Sequence, residues 1–193
     1  MAGAVIFYRG FYAFRKDQVA VSLTGPESVV AGETATWKVS VANRNQTDLK
    51  DSTLVFQFPE YARPVITENE SNQFGSLNGP VIKQTIPIPQ LAAGRLFERE
   101  FKAVIIGGEN FNKKAQAVFK FTPASSSIVF EASADQTLKI SSFPATLDFN
   151  LPAQTLSGET VSLGLKLKNQ SADSFNNLRI RLEYPSEIGR AHV

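Results

Sequence analysis

From Thr34 to Val41 every second residue is apolar, with Ala35, Trp37, Val39 and Val41 alternating with Thr34, Thr36, Lys38 and Ser40. Successive side chains of a strand point to opposite faces, so this pattern predicts a half-buried β-strand. Leu54, Phe56 and Phe58 alternate with Thr53, Val55 and Gln57 in the same way. Residues 19–23, 81–88, 95–105, 115–121, 128–132 and 137–140 read as further strands. Gly25-Pro26, Ala31-Gly32, Ala92-Ala93-Gly94 and Gly107-Gly108 punctuate them. No segment carries an amphipathic helical period. Many short strands at this spacing predict a sandwich with Trp37, Val39, Val41, Leu54, Phe56 and Phe58 inside.

The pattern repeats. Gly32-Glu33-Thr34 recurs as Gly158-Glu159-Thr160, an offset of 126, and at that offset Pro26, Asn43 and Pro59 meet Pro152, Asn169 and Pro185. Val21 and Leu23 map to Leu147 and Phe149. Trp37, Val39 and Val41 map to Leu163, Leu165 and Leu167, and Leu54, Phe56 and Phe58 to Ile180, Leu182 and Tyr184. Each matched turn residue has a mechanical reason. Gly32 and Gly158 permit positive φ, Asn43 and Asn169 end a strand by bonding local backbone and tolerating a left-handed conformation, and Pro59 and Pro185 stop a ladder. The expectation is one complete repeat over 17–136 and an incomplete second one over 137–186, whose Leu163, Leu165, Leu167, Ile180 and Leu182 are more exposed than their counterparts.

Pro26-Glu-Ser-Val-Val-Ala-Gly-Glu-Thr-Ala-Thr-Trp-Lys-Val-Ser-Val-Ala-Asn43, followed by Leu49-Lys-Asp-Ser-Thr-Leu-Val-Phe-Gln-Phe-Pro59, resembles the immunoglobulin-like conserved repeat of bacterial S-layer and adhesin-type surface proteins. Ile88-Pro-Gln-Leu-Ala-Ala-Gly94 is similar to a turn of that family. Phe130-Glu-Ala-Ser-Ala-Asp135 looks like the inter-repeat strand of membrane-anchored repeat proteins from metagenomic candidate-phyla bacteria. The resemblance spans roughly 17–186. It implies an all-β chain of tandem immunoglobulin-like antiparallel sandwiches, the second truncated, and it names no ligand.

The two ends stand apart. Residues 1–16 hold Phe7, Tyr8, Phe11, Tyr12 and Phe14 beside Arg9, Arg15 and Lys16. The apolar part is shorter than the roughly 20 residues of a full span, and its basic residues follow the apolar run, unlike those of a signal peptide. We read it as the short helical remnant of a membrane anchor with an interfacial aromatic belt. Its basic residues favour the cytoplasmic side under the positive-inside rule, against the extracellular placement that the repeats imply. Glu187-Ile-Gly-Arg-Ala-His-Val193 is encoded, with a following stop, by GAG-ATC-GGA-AGA-GCA-CAC-GTC-TGA, which after its first G looks like a short-read sequencing adapter. Residues 187–193, including His192, the single histidine, are read as that artefact.

Composition narrows the chemistry. The 193 residues have room for one large domain or one domain plus part of another. Their 15 Phe, 4 Tyr and 1 Trp suffice for a core. Twenty Lys+Arg against 18 Asp+Glu leave +2, too little to grip a phosphate backbone, so no nucleic-acid partner is expected. With no cysteine and no native histidine, the commonest nucleophile–base and thiolate–metal arrangements are missing. Glu98 and Glu100 lie on one strand face, a solvated one. Asp48 and Asp51 sit in a loop where calcium could bridge carboxylates and carbonyls, but they lack the dense Asp/Asn spacing a calcium loop carries. No catalytic residue, metal ligand or cofactor is expected.

The longest irregular stretch is 60–80, and loops on a rigid sandwich are where binding residues gather. Tyr61, Arg63 and Phe74 are its candidate interaction residues, and Phe74 has the competing reading of a core side chain. The expected function is a non-catalytic, membrane-anchored cell-surface module, with the repeats extracellular and a protein or glycan ligand. The alternative is an accessory sandwich of a larger surface enzyme whose catalytic domain follows.

Overall fold

A computed structural model of the chain describes residues 14–156, 158–170, 174 and 178–183. The chain divides into two compact units, Met1–Phe143 and Pro144–Val193. The expected anchor remnant falls mostly on residues 1–13, and the adapter-like tail wholly on 187–193, outside the described residues. Among the described residues no helix is long and apolar enough to cross a membrane.

Among the described residues the first unit is a nine-stranded sandwich. Its strands are β1 (Val19–Thr24), β2 (Ser28–Val30), β3 (Thr34–Asn43), β4 (Leu49–Gln57), β5 (Arg63–Pro64), β6 (Lys83–Leu91), β7 (Leu96–Val104), β8 (Asn112–Pro123) and β9 (Phe130–Ser142). One sheet runs β1-β3-β7-β5 and the other β2-β9-β8-β4-β6. Every pairing is antiparallel except β2 on β9. This is an immunoglobulin-like order, in which the first strand leaves one sheet at a kink and continues in the other.

That kink is Gly25-Pro26. The chain crosses between sheets directly over the indole of Trp37, and a Cβ at Gly25 would run into Trp37 Cδ1. Gln136 Nε2 on β9 donates to Pro26 O at 2.8 Å and holds the crossing down. The turn before β3 uses Gly32 at φ 92. The alternation read from the sequence is realised in β3, where Ala35, Trp37, Val39 and Val41 are buried. Leu54, Phe56 and Phe58 line the opposite wall, and Phe56 stacks on Phe101 of β7 with ring centroids 4.1 Å apart. Phe56 also meets Trp37 at 5.8 Å and Phe58 at 4.8 Å.

Several expectations shift. β9 runs on to Ser142, paired with β8 and β2, so the first unit ends at Phe143 and not at 136. Phe14, assigned above to a membrane belt, packs on Phe130 at 5.0 Å and Phe121 at 6.0 Å. Arg15 beside it exchanges backbone bonds with the Asn45 side chain, so residues 14–16 belong to the sandwich and not to an anchor. Asn43 does end its strand, yet it is absent from the left-handed residues. Its buried amide instead donates to Thr47 O, Leu91 O and Ala92 O and accepts from Asn45 N. One side chain thereby joins the β3–β4 loop to the β6–β7 turn.

The second unit contains β10 (Ala145–Asn150) and β11 (Gly164–Asn169) as an antiparallel pair. Its register is that of β1 on β3 displaced by 126, from Ala145↔Asn169 against Val19↔Asn43 to Asn150↔Gly164 against Thr24↔Lys38. The turn is reproduced too. Gly158 has φ 88, Glu159 N donates to Leu156 O as Glu33 N does to Val30 O, and the Glu159 carboxylate accepts from Leu156 N as that of Glu33 does from Val30 N. Gln170 N donates to Pro144 O as Arg44 N does to Gln18 O.

Removing the Phe56 ring takes away contacts with both sheets. Phe56→Ala should lower unfolding stability by about 3–5 kcal/mol, whereas Gln57→Ala, outside on the same strand, should stay within about 0.5 kcal/mol. Urea unfolding of both variants checks this, and equal midpoints would contradict the packing described.

Candidate interaction surface

The connection from β4 to β6 leaves one sheet, touches the other and returns. Ala62 N donates to Pro59 O, and Tyr61, at φ 60, donates its N–H to Pro80 O at 2.7 Å. Left-handed backbone is uncommon for an aromatic residue, and the bond to Pro80 fixes it there. The Tyr61 ring stands 62% exposed, with Lys113 Nζ 5.5 Å from its centroid. Lys113 also donates to Glu60 O at 3.0 Å. Burial pushes the Lys113 amine below the usual lysine range, and the nearby Glu60 carboxylate opposes that shift.

Arg63 lies on β5, its backbone paired with Val104 and its side chain exposed. Phe74 is half-buried over Phe58, with ring centroids at 6.2 Å, and bridges to Gln84. Gln84 Nε2 donates to Gln73 Oε1 beside it. The three sequence candidates thus have different surroundings: a loop tip, a sheet edge and a core margin.

What fastens the loop was invisible in the strand pattern. Arg99 of β7 pairs in register with Val39 and shares the inner side of the strand with Phe97 and Phe101. It forms an ion pair with Glu70, whose second oxygen accepts from Thr67 Oγ1 at 2.7 Å. A charge pointing inward on an exposed strand discourages edge-to-edge association, and Glu70 supplies its counter-charge from the 3-10 turn Glu68–Gln73. The other sheet ends on β6, whose Pro87 and Pro89 offer no N–H to an incoming strand.

Exposed apolar residues that the sequence reading did not single out include Phe111 and Ile106. Phe111 is 64% exposed, and its ring would lie 3.3 Å from a Cβ on Gly108. Ile106 precedes Gly107, where a Cβ would lie 3.1 Å from Lys113 Cε. Gly107-Gly108 and Lys113-Lys114 were the signals present, read only as a turn and a small basic cluster. Tyr61 and Phe111 thus expose their rings, while the partly buried Lys113 amine contacts Glu60 O and the Tyr61 ring.

Two of the candidate carboxylates, Glu98 and Asp48, are engaged in scaffold bonds. Glu98 accepts from Ser40 Oγ at 3.0 Å and pairs with Lys38 at 2.8 Å on the outer face. Those bonds, that of Lys38 first, hold its carboxyl below the usual range. Asp48 accepts from Gln90 Nε2 and Ala93 N, tying its loop to the β6–β7 turn. Asp51, at φ 50, occupies the β4 register shift between Lys50 and Thr53. Among the described residues no group of three or more His, Cys, Asp or Glu is placed to hold a metal ion.

No family model and no curated protein matches the chain. Similar solved structures include a cohesin module from a Clostridium perfringens family 33 glycoside hydrolase, 4% identical, covering 64% of this chain and 97% of that one at a TM-score of 0.45. The CARDB domain of a Pyrococcus furiosus protein is 14% identical over 63% of this chain and 85% of that one, at 0.40. The collagen-binding domain of a Staphylococcus aureus adhesin is 11% identical over 62% of this chain and 96% of that one, also at 0.40.

Glu70→Ala should leave the half-buried Arg99 without its counter-charge. We expect a loss of about 1–2 kcal/mol, discounted from fully buried pairs because both side chains retain solvent contact. Amide exchange should accelerate across residues 66–74 but not in β3 or β8. Unchanged exchange there would show that the ion pair does not hold the loop.

Proposed function

We propose that this chain is a non-catalytic module of the cell surface, serving as stalk, adhesin or envelope scaffold. Its repeats lie outside the cell, and residues 144–186 begin a second sandwich of the same kind. The observation that carries this reading is the recurrence of the β1/β3 pairing, with its glycine turn and glutamate bonds, 126 residues on. Repeating a framework multiplies reach and ligand-facing ends, which suits display from a surface. The ends of the sandwich meet protein or glycan ligands, with Tyr61 at one of them, and the aromatic segment of residues 1–13 attaches the chain to the membrane.

Proteolysis of intact cells expressing the full-length gene tests this reading. Digestion of both units before lysis is expected. Units that stay protected until the cells are broken would place them in the cytoplasm and remove the surface role.

A further inference from the structure

The connections at the two ends of the first unit differ in charge. One end is built from residues 14–18, 44–48, 92–95 and 124–129. The Asn45 side chain ties it to Arg15, Asn43 ties it to Ala92, and Ala124 N donates to Asp48 O at 2.8 Å. Its basic residues are Arg15, Lys16, Arg44 and Arg95, against Asp17 and Asp48. Arg15 pairs with Asp17, and Asp48 accepts from Gln90 Nε2 and Ala93 N. Lys16, Arg44 and Arg95 are exposed and form no ion pair among the described residues. The connections of the opposite end, 25–33, 58–62 and 105–111, carry Glu27, Glu33, Glu60 and Glu109 and no basic residue.

The basic end also presents apolar side chains. Residues 124–129 read Ala-Ser-Ser-Ser-Ile-Val, without a charge. Ser126 N donates to Pro123 O and Ile128 N to Ser126 Oγ at 3.0 Å, which shapes the turn. Ile128 and Val129 stand 62% and 65% exposed on it, next to Phe130. Phe130 packs on Phe14, where the chain comes in from residues 1–13. From Phe130, β9 carries the chain to the acidic end, where it pairs with β2 and the first unit finishes at Phe143. Tyr61 and Phe111 are exposed at that acidic end. Apolar exposure alone therefore does not distinguish the ends, and the sign of the charge does.

Apolar side chains accompanied by cations suit an anionic lipid interface: the apolar part enters the headgroup boundary and each cation meets negative surface charge. The same surface repels an acidic end. Two such side chains and three cations hold weakly alone, but a chain already attached through residues 1–13 keeps this end at high effective concentration beside the lipid. We propose that the end of the first unit bearing Lys16, Arg44, Arg95, Ile128 and Val129 docks on an anionic lipid surface, with Ile128 and Val129 in the headgroup layer. The first unit then stands end-on, its acidic end away from the lipid. The proposal rests on the reading that residues 1–13 attach the chain to a membrane.

The chain has no cysteine, so single labels report position. Val129→Cys and Glu109→Cys, each carrying a nitroxide in the 193-residue chain, place a probe at either end of the first unit. On vesicles of equal parts phosphatidylglycerol and phosphatidylcholine, the Val129→Cys label should be shielded from a water-soluble nickel complex and the Glu109→Cys label should not. Adding Arg44→Glu and Arg95→Glu, both at exposed side chains, should lower the ratio of docked to undocked chain at least about thirtyfold. A vesicle-bound chain whose Val129→Cys label stays in water would overturn the docking and leave the attachment through residues 1–13 intact. A chain that does not bind the vesicles at all would remove both. Shielding of that label without vesicles would make residues 1–13 or a second copy the occupant and overturn the proposal, as would shielding that survives the charge reversal.

Discussion

Phe56 touches Trp37, Phe58 and Phe101, and through those rings the two sheets of the first unit face one another. Much of the architecture follows from keeping that contact dry. Trp37 packs against the crossing strand so closely that Gly25 cannot carry a side chain. Buried aromatic pairs contribute beyond their area only at suitable ring geometry, so the register of β3, β4 and β7 is set as much by these rings as by the backbone ladder. A slip of one residue would turn every ring to solvent.

Around this core, polar side chains keep the connections in place. The Asn43 amide and the Asp48 carboxylate bind the loops at one end, and the Arg99–Glu70 pair binds the long connection across the open side. A buried amide that meets several carbonyls satisfies groups that would otherwise be costly to bury. Tyr61 is held in its left-handed conformation beside Lys113 by its own N–H bond to Pro80 O. Two of the four candidate acids are bonded into the same framework, Glu98 with Lys38 and Asp48 with the β6–β7 turn.

The strands and their inward faces were legible because alternation is a local property with a period of two. The direction of Arg99 followed too, since Glu98 and Glu100 on the solvated face leave Arg99 on the other, but its pairing with Glu70 did not, because that partner comes from the irregular stretch. Phe14 was misjudged for a related reason: aromatic density looks alike whether the rings meet lipid or Phe121 and Phe130. Of the candidate loop, the core side of Phe74 was legible as a competing reading. The φ of Tyr61 and the company of Lys113 arise from tertiary contacts that no spacing encodes. The limit of β9 at Ser142 was missed because its pairing with β2 joins residues far apart in the chain.

The account depends most on one claim, that a single pairing register builds both units 126 residues apart. The chain has no cysteine, so engineered pairs report without interference. Directly opposed residues lie about 4.5–5.5 Å apart at Cα, within disulfide reach, and diagonal ones about 7–8 Å apart. Thr146→Cys with Lys168→Cys and Ala20→Cys with Ala42→Cys occupy equivalent opposed positions. The decisive measurement is oxidation of each pair, with Thr146→Cys and Lys166→Cys as the slipped control. Both opposed pairs should close and the control should stay reduced. Closure of the control with Thr146→Cys and Lys168→Cys left open would contradict the shared register.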